Sequence, residues 1–226
     1  SKFPLAEILT HVLNKCQDYL GTPVEIEFAV ALDPKRNIRR FALLQLRPVV
    51  AGHEEIDVDF NEIEEERLLC SSSLALGNGV IDNVQDIIFI DPSKLNRLKT
   101  RDLNTIIEEI NASLTRQNRP YLLIGPGRWG TADPSLGIPV SWSQISGAKT
   151  IVEVPMADIH VDPSQGSHFF QNIVSFNVGY LTLSEVGNMD WEWLNNQEVI
   201  ANHGPLTHVY LDDPIKILLD SKDGEA

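Results

Sequence analysis

Four side chains in the first fifty residues have the types that phosphate chemistry requires: Glu25, Glu27, Gln45 and Arg47. A carboxylate and an amide oxygen are hard ligands suited to magnesium, and an arginine fork neutralises phosphate oxygens. Two later segments also carry chemistry-bearing residues. In Gly125-Pro126-Gly127-Arg128-Trp129-Gly130 the glycines would let backbone approach an anion that Arg128 clamps, with Trp129, Asp133 and Trp142 lining the same pocket. Gly-Pro-Gly beside Trp is equally a way to build a tight turn capped by an aromatic ring. In Ser164-Gln165-Gly166-Ser167-His168, followed by Gln171 and Asn172, hydroxyls, an imidazole and the N–H groups of a starting helix would converge on an anion. A histidine near a helix N-terminus resists protonation, which favours a nucleophilic or ligand role for His168 over a cationic one.

The elements that must position these groups follow from periodicity. Leu5, Ile8, Leu9, Val12, Leu13, Cys16 and Leu20 recur at helical spacing, and Gly21 stands where a C-terminal cap belongs. Val24, Ile26, Phe28 and Val30 alternate with Glu25, Glu27 and Ala29, and Phe41 to Val50 forms a second strand across a polar turn at 33–37. A hairpin centred near residue 36 sets Glu27 opposite Gln45 and Glu25 opposite Arg47, all on one face. On the other face Val24, Ile26, Phe28 and Val30 would meet Leu44 and Leu46. By pattern alone this is either a phosphoryl-transfer face or a solvated face with a cross-strand Glu–Arg pair.

Beyond the hairpin, Gly52 to Arg67 is an acidic run that reads as a linker. Gly77-Asn78-Gly79 marks a turn, Asp86 to Ile90 a short buried strand, and Arg101 to Arg116 a helix with Leu103, Ile106, Ile107 and Ile110 on one face. Strands are expected at Tyr121 to Ile124, Thr150 to Val154, Tyr180 to Leu183, Thr207 to Leu211 and Ile215 to Leu219, with a helix over Ser167 to Phe176. The alternation predicts a mixed α/β domain. His160, His203 and His208 show no metal-ligand spacing with His168.

The hairpin also resembles a known family. Glu25-Ile26-Glu27-Phe28-Ala29 followed by Leu44-Gln45-Leu46-Arg47-Pro48 is similar to the end of the ATP-grasp domain in pyruvate phosphate dikinase and phosphoenolpyruvate synthase. The resemblance implies that Glu27 and Gln45 bind magnesium, that Glu27, Gln45 and Arg47 bind ATP, and that Arg47 contacts the transferred phosphate. The family's glycine-rich lid and catalytic lysine lie upstream of this hairpin, so the chain reads as the C-terminal piece of a longer polypeptide and would be inactive alone. More faintly, Ala75-Leu76-Gly77-Asn78-Gly79 and Gly166-Ser167-His168 resemble the entry and carrier motif of the family's swivelling phosphohistidine domain, which would make His168 catalytic. The doubled glycine, the threonine and the small residues after the histidine are absent, and Phe169 and Phe170 stand there instead.

The expected organisation is therefore the end of an ATP-grasp nucleotide-binding domain at 1–52, an acidic linker at 53–67 and an α/β domain at 68–226. The expected function is ATP-dependent phosphotransfer to a small-molecule acceptor, which the sequence leaves open. The alternative is a non-catalytic module that binds a small anion or regulates. A net charge of −14 argues against nucleic acid and anionic membrane as partners. Two cysteines without a Cys-x-x-Cys pair, and no membrane-length apolar run, fit a cytoplasmic protein.

Overall fold

The apolar stripe at helical spacing forms α1, Leu5–Leu20, and the alternating segments form the antiparallel strands β1, Val24–Asp33, and β2, Ile38–Pro48. In this computed structural model the residues described are 3–20, 24–33, 38–48, 68–95, 100–133, 135–156 and 168–220. Gly21, the hairpin turn and the acidic run at 53–67 lie outside them. The chain divides into two compact units, Ser1–Gly52 and His53–Ala226.

In the first unit Glu25 pairs with Arg47 and Glu27 with Gln45, as symmetry about the turn requires. The register then slips by one residue, so that Phe28 faces Leu43, Val30 faces Phe41, and Leu44 is bulged out with 65% of its surface exposed. The expected contact of Leu44 with the apolar face is thus corrected. Without the slip, Phe41 and Leu43 would fall on the face of Glu25 and Glu27, because a one-residue shift exchanges the faces of a strand. The bulge returns both to the apolar side, where Phe41 stacks on Phe28 with ring centroids 5.4 Å apart. Even so, no side chain described in this unit is fully buried. One helix over two strands encloses too little surface for a core.

In the second unit a seven-stranded sheet is built around four parallel strands. These are β4 (Asn78–Ile90), β5 (Tyr121–Pro126), β8 (Ala148–Val154) and β9 (Gly179–Thr182), adjacent in that order. The short strand β3, Ala75–Leu76, closes the β9 edge, while β11, Leu206–Asp220, and then β10, Glu198–His203, extend the other side antiparallel. Between β5 and β8 run the two-residue strands β6, Arg128–Trp129, and β7, Gly137–Ile138, and a 3₁₀ turn at Trp142–Gln144.

Each parallel step moves the same way across the sheet, so right-handed crossovers bring their connections to one face. There α2 (Thr100–Arg116), the 127–147 connection and α3 (His168–Ser175) cover Ile88, Ile90, Leu123, Ile151 and Tyr180. Alternate strand residues, among them Ile87, Phe89, Leu122, Ile124, Val152 and Leu181, form a second core on the opposite face. It is closed by Met189, Trp191 and Leu194, the last two from the short helix α4, Trp191–Asn195.

Three expectations change here. The strand expected at Asp86 to Ile90 is only the second half of β4, and the two expected C-terminal strands are one, β11, with its register interrupted between Tyr210 and Ile215. Pro214 has no N–H to continue the ladder. The Gln85 amide donates to the Leu211 and Asp212 carbonyls, at 3.1 and 3.0 Å, across that interruption. The expected Gly77-Asn78-Gly79 turn is instead a bend from β3 into β4. A Cβ at Gly77 would lie 3.0 Å from Leu219 and 3.5 Å from Gly179, so β4 begins beside the first residue of β9 and the sheet curls.

A buried carboxylate fixes the opposite end of the parallel block. Asp86, 2% exposed, accepts from Arg119 Nε at 2.9 Å and Nη2 at 2.7 Å, and lies 2.7 Å from His208 Nε2. An ionised carboxylate only accepts, so His208 carries its proton on Nε2. Arg119 also lies over the Tyr210 ring, 4.8 Å from its centroid. Asp86→Ala, which leaves both donors unpaired, should lower stability by roughly 3 kcal/mol, the low end for a broken buried pair because Arg119 is partly solvated. Urea denaturation should show a lower midpoint with an unchanged slope. Burial also pushes the Cys70 thiol up to about 12. At about pH 8 it is therefore protonated and unreactive, and iodoacetamide should spare Cys70 in the folded protein but label it in denaturant.

Candidate functional site

On the hairpin, Glu25, Glu27, Gln45 and Arg47 share one face because each lies an even number of residues from its neighbour in the same strand, on the unslipped side of the bulge. Glu25 Oε1 is 3.9 Å from Arg47 Nη1, with both side chains substantially exposed. An exposed pair at that distance holds its partners loosely and contributes little to stability. Glu27 and Gln45 are exposed and directly opposite each other. One carboxylate and one amide oxygen, facing solvent across a strand pair, fit magnesium, which commonly takes few protein ligands and fills its octahedron with phosphate and water. Among the described residues no group of three or more His, Cys, Asp or Glu forms a metal cluster.

In the second unit, the glycine-rich loop leaves the C-terminal end of β5, the edge at which open α/β sheets place ligands. Its backbone donors are already engaged. Gly127 N–H donates to the Val154 carbonyl at 2.8 Å, Arg128 N–H to Leu136 at 2.9 Å, and Gly130 N–H to Ile138 at 2.9 Å. Trp129 N–H donates to Glu153 Oε1 at 3.0 Å. The expectation of a backbone cradle for an anion is therefore corrected: from 127 to 130 every N–H has an acceptor within the protein.

The glycines answer to packing. A Cβ on Gly125 would sit 2.5 Å from the Trp129 ring, which is completely buried and so forms the floor of the loop, not a face for a ligand. Gly127, at φ +65, lies under the Leu136 carbonyl, 2.3 Å from where its Cβ would be. Gly130, at φ +75, faces Phe169 at the same separation of 2.3 Å. Left-handed backbone and the absence of a side chain are both needed at these two positions.

Phe169 comes from the first turn of α3, and its ring also meets Trp142, 6.0 Å between centroids. The fold thus brings together the 125–130 loop and the start of the helix that begins at His168. Ser164, Gly166 and Ser167 lie outside the described residues. Trp142 does not line a pocket with Trp129; it packs between Phe169 and Phe176. Asp133 is spent on its own turn, where its Oδ1 accepts from Ser135 N–H and Oγ, and these bonds hold its carboxyl below the usual range.

Two functional-looking groups escaped sequence reading. Glu153, 3% exposed, sits in β8 with Thr182 beside it in β9. An acidic residue inside the apolar run Ile151 to Val154 was the available signal, since a buried carboxylate must find donors. Asp86 with Arg119 and His208 is the other, and its three members are too far apart in sequence for any spacing rule. Among known proteins, the chain matches no family model, no curated protein and no solved structure.

Gly130→Ala, combining left-handed backbone with a clash on Phe169, should cost more than about 2 kcal/mol. Gly187→Ala, which would meet no atom within 4 Å, should stay within about 0.5 kcal/mol. Thermal or urea unfolding of the two variants measures the contrast.

Proposed function

We propose that residues 1–52 are the closing hairpin of a dikinase-type ATP-grasp domain, and that the polypeptide to which this chain belongs transfers phosphate from ATP to an acceptor. The observation that carries the reading is the register: Glu25 opposite Arg47 and Glu27 opposite Gln45, on a single exposed face. A carboxylate, an amide and a guanidinium placed within one strand pair are the groups that a metal–triphosphate needs along one wall.

In this reading Glu27 and Gln45 hold magnesium, and Arg47 turns its fork to the oxygens of the transferring phosphoryl group. Magnesium held by these two side chains would supply positive charge to offset that of the phosphate oxygens. The Glu25–Arg47 contact, at 3.9 Å between partly exposed side chains, is a weak one and would not by itself keep the guanidinium from phosphate. The glycine-rich lid and the lysine of the family are supplied by residues that precede Ser1. The second unit follows as the α/β domain of the same enzyme. In this reading His168, the first residue of α3, would be the phosphohistidine carrier, a role supported by the faint resemblance of Gly166-Ser167-His168 to the family's carrier motif.

Radiolabelled ATP, with label in the β or the γ position, tests this in the full-length polypeptide. Glu27→Ala and Arg47→Ala should each lower ATP consumption on the order of a hundredfold or more, while Asp133→Ala should leave it intact. Consumption indifferent to both hairpin changes would sink the proposal. Acid-labile label that disappears in His168→Ala assigns the carrier role, and consumption without protein labelling removes it.

A further inference from the structure

The bulge at Leu44 decides more than the place of Phe41 and Leu43. Even counting about the hairpin turn would set Arg40 opposite Leu32, on the apolar side, and Arg39 opposite Asp33, on the side of Glu25 and Glu27. The slipped register reverses this, with Arg40 opposite Ala31 and Arg39 opposite Leu32. Residues directly opposite each other in a strand pair share a face. Arg40 therefore joins the face of Glu25, Glu27, Gln45 and Arg47, and Arg39 leaves it.

Between Arg40 and the Glu27–Gln45 pair that face carries only Ala29, Ala31 and Ala42, while Asp33 and Ile38 end it at the turn. Glu27, Ala29, Ala31, Arg40, Ala42 and Gln45 are all exposed. Side chains that stop at Cβ leave a low floor, along which a ligand can lie close to the strands. Arg47 stands level with Glu25 and Arg40 level with Ala31, roughly 20 Å apart along the strand, with the carboxylate and the amide between them. Two long, flexible side chains leaning inward from those positions would bracket an extended anion laid over Glu27 and Gln45. On this face the carboxylates of Glu25, Glu27 and Asp33 outnumber the two guanidiniums, so it favours an anion once a divalent cation accompanies that anion.

We infer that Arg40 is a second anion-binding residue of the hairpin site, gripping an anionic group of the ligand at the end away from Arg47. The inference rests on the function proposed above, in which Glu27, Gln45 and Arg47 hold a metal–triphosphate. The group is a phosphate of the nucleotide or the phosphate or carboxylate of the acceptor, since each presents the paired oxygens that a guanidinium fork binds.

Nitrogen-15 NMR of the arginine Nε–H groups in the 226-residue chain tests this, with Arg39, also exposed and next in sequence, as the internal control. Magnesium–ATP should move the Arg40 and Arg47 signals along one binding curve and leave Arg39 in place, which assigns a nucleotide phosphate to Arg40. If Arg40 answers only to inorganic phosphate added on top of magnesium–ATP, the acceptor is the source. Arg40→Ala should weaken binding of the probe that moves its signal by at least about threefold, and Arg39→Ala should leave it unchanged. Arg39 and Arg40 moving alike, or Arg40 still at millimolar concentrations of both probes, overturns the inference. A response of Arg47 to magnesium–ATP that Glu27→Ala abolishes, with Arg40 still, removes Arg40 and keeps the ATP-grasp reading. Tripolyphosphate that moves both arginines equally with and without magnesium, and regardless of Glu27→Ala, keeps Arg40 and removes the metal–nucleotide reading.

Discussion

Parallel pairing of β4, β5, β8 and β9 is the constraint from which the second unit follows. Parallel neighbours cannot be joined by a tight turn, so each connection must climb back over the sheet, and the handedness of that climb sends all of them to one face. The opposite face would then be bare. The chain covers it with the stretch from Met189 to Leu194 on its way from β9 to β10, and Trp191 sets its ring 6.3 Å from Phe89. Both faces of the parallel strands are enclosed, which is why Ile87 to Ile90 and Leu122 to Ile124 are continuous apolar runs and not alternating ones.

Two buried carboxylates tie the connections to the two ends of this block. Asp86, level with the start of β5, fastens Arg119 from the α2–β5 connection and His208 from β11. Glu153, level with Gly125 near its end, fastens the glycine-rich loop through Trp129 N–H. Buried charge of this kind is costly unless donors reach it, and in both cases a donor comes from a segment outside the four parallel strands. α2 clamps the later part of the β5–β8 connection: Asn104 donates to Pro139, and Asn111 donates to Ser143 while accepting from Tyr121 and Gly147. The loop that looked like a ligand cradle has each N–H from 127 to 130 bonded within the protein.

The first unit lives under a different constraint. It has the elements of a domain without the enclosed volume of one, and what specifies its register is the need to keep Phe41 and Leu43 off the face of Glu25 and Glu27. A single bulged residue, Leu44, achieves this. The four polar groups are left in undisturbed register on one side of the bulge.

Periodicity by itself determined α1, α2 and α3, the hairpin and its Glu25–Arg47 and Glu27–Gln45 pairs, because each depends only on neighbours in sequence or on symmetry about one turn. It also determined the mixed α/β class, from the alternation of elements. The tertiary structure decided what depends on distant partners. It decided the slip at Leu44, which arises from which side chains share a face, and the fusion of two expected strands into β11, which Gln85 supports from another strand. It decided, too, that the glycines of 125–130 admit Trp129, Leu136 and Phe169 and not an anion. A glycine in sequence says only that a side chain is unwelcome; what approaches in its place is known once the chain has brought residues 125 and 169 together.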